Sequence, residues 1–290
     1  MYCYDCMNSR ITLALLSALF LVALCLSFVS PAEASWKPHS RLSLARGHHE
    51  EDEGEDNDEP EEALENEELS VHLMNSAKVK FSHVGDSKMF LLSFLGIQEN
   101  NGGPSFNNFA SLDSHFGDVD RNHSFHGLQT LRVDFHSDLP LPAPSPSASL
   151  DVWYYLFLEA GNYSVHEQRF DVDVNSMKFT VLLSNWTFAS ANPDASVTFR
   201  MNLLVPSGRP SWDAETRTLS TGNLRAQFAE EAEYDEDGNW GEVGVDVVIR
   251  GSNAEIALTF GRFDSWVRYD PQFSVEGEGS SAPSLRPFLF

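Results

Sequence analysis

Through most of the chain, from about residue 70 to 275, apolar and polar residues trade places one by one. Val79 and Phe81 alternate with Lys78, Lys80 and Ser82, and Leu131, Val133 and Phe135 alternate with Arg132, Asp134 and His136. Val197, Phe199, Met201, Leu203 and Val205 keep the same rhythm, as do Val243, Val245, Val247 and Ile249, and then Ile256, Leu258 and Phe260. A period of two sends successive side chains to opposite faces of an extended strand. No stretch beyond the N-terminal leader carries a capped helical stripe. Many short alternating runs, parted by Gly, Asn, Asp and Pro, predict an all-β fold: one antiparallel β-sandwich, jelly-roll or Ig-like, over residues 70–275.

The punctuation supports this reading. Gly161-Asn162 and Asp237-Gly238 each sit between strand-like runs and tolerate the positive φ of tight hairpin turns. The Pro- and Ser-rich stretch "DLPLPAPSPSAS" at 138–149 reads as a long surface connection within one domain. A separate domain at 70–137 would be small and cysteine-free, with too little buried surface to stand alone. Residues 276–290 read as a flexible tail.

The N-terminal flank has two parts. Residues 11–29, "ITLALLSALFLVALCLSFV", are apolar, and "AEA" at 32–34 is a small-residue cleavage pattern. Residues 1–34 are therefore expected to be a signal peptide cut after Ala34, delivering a secreted, extracellular or cell-surface protein. The alternative is an uncleaved anchor, giving a type II membrane protein with a lumenal β-domain. Cys3, Cys6 and Cys25 all lie in this leader, so the domain behind it must stand on its own core without disulfides.

Residues 35–69 are expected to be a disordered acidic segment. Between 50 and 68 the chain holds thirteen acids and no Lys or Arg. Taking those thirteen charges from the net −24 leaves −11 for the rest. Such a block repels itself and buries nothing. It argues against nucleic acid as a partner and suits a hard cation such as Ca²⁺, while His123 and His126 with Asp118, further along the chain, are the alternative ligand set for Zn²⁺.

Four candidate metal ligands fall in "SHFGDVDRNHSFHG" at 114–127: Asp118, Asp120, His123 and His126. Asp118, Asp120 and Asn122 have the 1-3-5 oxygen spacing of calcium loops. His123, however, stands where the turn glycine belongs, and Gln129 where the bidentate Glu belongs. Three sequons, at Asn122, Asn162 and Asn185, are candidate glycosylation sites. Asn185 continues the odd-numbered apolar phase of Met177, Phe179, Val181 and Leu183, so it reaches the surface only if the chain bends near Ser184 and Trp186 packs.

The strand "LDVWYYLFLE" at 150–159 carries apolar residues on both faces. Either it is central and buried on both sides, or Trp153, Tyr155 and Phe157 form an exposed platform for an extracellular glycan or protein. No nucleophile elbow, zinc-protease helix, phosphate loop or dinucleotide fingerprint occurs. The sequence thus predicts a non-enzymatic binding or adhesion module, with an acidic matrix or calcium-binding structural protein as the alternative.

Overall fold

The computed structural model describes residues 62–275 except 75–76, 110–114, 142, 144–146 and 236–237. The expected leader, the acidic run up to residue 61 and the tail 276–290 lie outside the described residues. The described part is all-β and antiparallel, with no α-helix and no helix long and apolar enough to cross a membrane among its residues.

Two sheets pack face to face. Numbering strands in chain order, sheet A runs β1 (Glu62–Glu65), β2 (Leu69–Met74), β3 (Lys78–His83), β4 (Phe90–Glu99), β13 (Val197–Leu204), β20 (Asn253–Phe260) and β19 (Gly244–Arg250), with β5 (Ser105–Phe106) beside β4. Sheet B is built around β12 (Ser176–Ser184). One side of β12 meets β9 (Ser149–Phe157), then β8 (Leu128–Asp138), then β6 (His115–Phe116) and β7 (Asp120–Phe125). The other side meets β21 (Trp266–Tyr269) and β22 (Gln272–Val275), placed end to end across Asp270-Pro271. Beyond β22 lie β16 (Leu224–Gln227), β15 (Thr218–Ser220) and β14 (Ser211–Asp213); beyond β21 lie β17 (Glu231–Tyr234) and β18 (Asn239–Glu242). A separate hairpin, β10 (Gly161–Val165) with β11 (Gln168–Val172), completes the set.

The alternation decides what goes between the sheets. Phe81, Phe94, Phe199, Met201, Ile256 and Leu258 of sheet A meet Val133, Val152, Phe179, Val267 and Phe273 of sheet B in one buried core. Phe81 packs edge-on to Phe273 at 5.9 Å, and Phe94 meets Phe179 at 6.3 Å, so aromatic rings span the sandwich. Gly96 is required where β5 crosses β4: a Cβ there would lie 2.9 Å from the Phe106 carbonyl oxygen.

Several local expectations change. The sheet begins at Glu62 rather than near residue 70, because buried Leu64 anchors β1 although its neighbours are acidic or small. Gly161-Asn162 is not a hairpin tip. It opens β10, and the turn falls at His166-Glu167, with His166 at φ 49°. The β17–β18 turn does lie at 235–238, with Gly238 at φ 67°; Asp237 is outside the described residues. The Pro- and Ser-rich segment connects neighbouring strands of one sheet, since Asp138 lies opposite Ser149. β12 ends at Ser184, Asn185 turns at φ 56°, and Trp186 is 1% exposed, so the chain bends and the ring packs.

Candidate functional site

The outer face of sheet B collects most of the sequence-predicted residues. On β9, Trp153, Tyr155 and Phe157 share that face, but they meet different neighbours. The β7–β8 hairpin turns at His126-Gly127, both with positive φ, and places Phe125 4.9 Å from Tyr155. The β10–β11 hairpin adds Tyr163, stacked on Phe157 at 6.0 Å and on Phe170 at 5.2 Å. Tyr155 and Phe157 are therefore buried, and burial pushes the Tyr155 phenol up to about 12. Trp153 alone stays half-buried, with the Arg132 guanidinium 5.1 Å from its ring. A three-ring exposed platform is not what the strand presents, because two hairpins roof two of the rings.

Beneath this roof lies a charge pair that alternation alone does not reveal. Lys178 is buried with its Nζ on the Asp270 carboxylate and 2.7 Å from Thr180 Oγ1, which donates to Asp270 Oδ1 at 2.5 Å. The rings of Phe125, Tyr155 and Tyr163 surround the ammonium at 4.3, 5.3 and 5.9 Å. Burial pushes the Asp270 carboxyl up, but Lys178 and the Thr180 hydroxyl outweigh it and hold the group below the ordinary carboxylate range. Lys178 sits out of phase with Met177 and Phe179, and that is the only trace it leaves in the sequence.

The four predicted metal ligands do not converge. Asp118 and Asp120 are exposed, and Asp120 caps the Asn122 amide at 3.0 Å. His123 bonds Thr130 Oγ1 at 3.0 Å, and burial together with Arg132 pulls its pKa down. His126 occupies a hairpin turn beside Phe125. Strand register separates these side chains, with an irregularity between Asp120 and His123. Among the described residues no group of three or more His, Cys, Asp or Glu is placed to hold a metal ion. Asn122, Asn162 and Asn185 are all exposed.

Two features escape a sequence reading. The first is a polar groove between β11 and β16–β22, about 430 Å³ at one end and about 220 Å³ at the other. Asp171, Arg225 and Ser274 line both ends, and Arg169, Gln227 and Gln272 line the narrower one. Arg169 pairs with Asp171 at 3.3 Å, whereas Arg225 is exposed and forms no ion pair among the described residues. The second is Asn66, between β1 and β2. Its Nδ2 donates to the Phe157 and Val174 carbonyls at 2.8 and 2.6 Å, while its Oδ1 accepts from the Glu68 and Leu69 amides at 2.9 and 2.7 Å. The last stretch of the acidic run is thus fastened to sheet B, with Glu65 and Glu67 exposed beside the clamp.

A family model described as acidic skeletal organic matrix protein matches residues 39–199, more than half of the chain. The matched stretch takes in the whole acidic run, the Asn66 clamp and both hairpins of the roof. The chain therefore belongs to the acidic skeletal organic matrix protein family and is an acidic protein of the extracellular matrix.

Proposed function

We propose that this matrix protein is a non-enzymatic cation collector: the acidic run gathers divalent cations, Ca²⁺ above all, and the β-sandwich holds one end of it in place. The Asn66 clamp carries this reading, because two of its hydrogen bonds tie the end of a thirteen-acid run to the carbonyls of Phe157 and Val174, and two more brace the local turn at Glu68 and Leu69. Carboxylate oxygens suit a hard cation, and without a fixed cage the contacts are many and weak, at about millimolar free Ca²⁺. Calcium uptake by flow dialysis tests it. The full chain takes up several equivalents, and a variant with the acids of 50–61 changed to Gln and Asn loses most of them while its circular dichroism stays the same. Equal uptake by the two chains sinks the proposal.

A second reading, ligand binding by the sandwich itself, draws on the groove. Arg225, which has no ion pair among the described residues, stands beside the Arg169–Asp171 pair and a row of amides and hydroxyls and suits an anionic extracellular glycan. A glycan array probed with the full chain and with Arg225→Ala separates this from the cation reading, since Arg225→Ala leaves calcium uptake unchanged. The exposed sequon asparagines are consistent with a glycosylated chain, which peptide mass spectrometry before and after glycosidase treatment checks.

A further inference from the structure

The two ends of sheet A are protected unequally. At one end, β1 is only four residues long, carries Glu62 and Glu65, and continues directly from the acidic run. Short length and like charge are common devices against edge-to-edge pairing. At the other end, β19 is seven regular residues, "GVDVVIR", all paired with β20. It contains no proline and no lysine, and no strand among the described residues pairs with its outer edge. Its core-facing Val245, Val247 and Ile249 are only partly covered, and Val248 on the opposite face is 48% exposed.

The residues of this edge complement themselves. In an antiparallel pair centred on Val248, each Val248 faces its own counterpart. Asp246 then faces Arg250 of the second copy, Arg250 faces its Asp246, and Val247 meets Ile249 on the core side. Moving the centre to 247 sets Asp246 against Val248, and moving it to 249 sets Val248 against Arg250. A register pairing odd with even positions would turn the core face of one copy toward the outer face of the other. One register alone matches charge to charge and apolar to apolar.

We propose that β19 joins two copies of this chain, edge to edge, in an antiparallel two-fold pair centred on Val248. The interface is isologous, so it closes at two copies. Backbone hydrogen bonds and the Val248 contact supply the attraction, and the reciprocal Asp246–Arg250 pairs fix the register. With a net charge of −24 on each copy, the pair needs physiological ionic strength, where screening acts over about 8 Å.

Sedimentation equilibrium of the full chain in physiological salt, at about 1 to 100 µM, brackets the affinity of an interface this small. A reversible monomer–dimer equilibrium is expected. Val248→Lys places two ammonium groups face to face and weakens it by roughly tenfold or more. Asp246→Arg and Arg250→Asp each weaken it, and combining them restores it, an outcome that a folding defect does not produce. In a background with Cys3, Cys6 and Cys25 changed to Ser, Val248→Cys cross-links under mild oxidation and Asp246→Cys does not, since only position 248 faces itself. A chain that stays monomeric across this range, a dimer indifferent to Val248→Lys, or a charge swap that fails to restore pairing overturns the proposal.

Discussion

Lys178 and Phe179 are neighbours on β12, and both are fully buried, yet they lie in different interiors. Phe179 enters the core between the sheets, where it meets Phe94, Tyr154 and Phe273. Lys178 enters a second, smaller interior on the outer face of sheet B, roofed by Phe125 and Tyr163 and closed by Asp270. The inner interior follows from alternation, because two half-apolar sheets bury their apolar faces against each other. The outer one exists only because two hairpins fold over a face that alternation would leave in water. A polar position on a strand is therefore not a surface position until every neighbouring element is accounted for.

Substitution separates the two interiors. Lys178→Met leaves Asp270 buried without its cation and costs about 3–5 kcal/mol. Lys178→Met combined with Asp270→Leu recovers all but about 1–2 kcal/mol, since a packed apolar pair replaces the charges. Phe179→Ala costs a similar amount, about 3–5 kcal/mol, through cavity formation, and no second substitution on the outer face recovers it. Urea denaturation of the four chains reads these differences; a double variant no better than Lys178→Met alone would show that the charges do not act as a unit.

Acid gives a smaller effect of definite sign. Asp270 has a folded pKa below its unfolded value, so its contribution is fully present above about pH 4 and fades as the pH falls through the folded pKa. Thermal melts from pH 7 to pH 5 should show no loss from this source, and the loss should begin below about pH 4. The Lys178→Met/Asp270→Leu chain should lack that part of the acid slope, whereas Phe179→Ala should retain it. The smallest effect belongs to Trp153→Ala. The half-buried ring gives up only part of its area, so the cost is about 1 kcal/mol, well under that of a core aromatic. A cost as large as that of Phe179→Ala would mean that the roof extends over Trp153 as well.

Much of the fold is legible in the sequence. The odd-numbered phase of β13 and the even-numbered phase of β20 enter the core as alternation requires, with Val197, Phe199, Met201 and Leu203 opposite Phe260, Leu258, Ile256 and Ala254. The bend at Asn185 follows from conflict between strand phase and sequon, and Trp186 packs where the bend puts it. The hairpin at His166-Glu167 is not legible, because neither residue is a usual turn former. β1 is hidden for a similar reason: a single leucine among acids resembles the spacer it ends. The predicted metal ligands show the converse, since spacing along the chain brought oxygens and imidazoles close in sequence and strand register then parted them.

Strand class, antiparallel architecture and the uneven charge of this protein follow from the sequence alone, since each depends on the local polarity and φ/ψ preferences of neighbouring residues. What lies beneath the roof, which edge stands open and where the acidic run is fastened were decided by tertiary structure. Asn66 reaches the carbonyls of Phe157 and Val174, Lys178 reaches Asp270, and Gln272 reaches the Asp171 carbonyl. Each of these contacts joins residues about ninety or more positions apart, and the period of a strand carries no information over that distance.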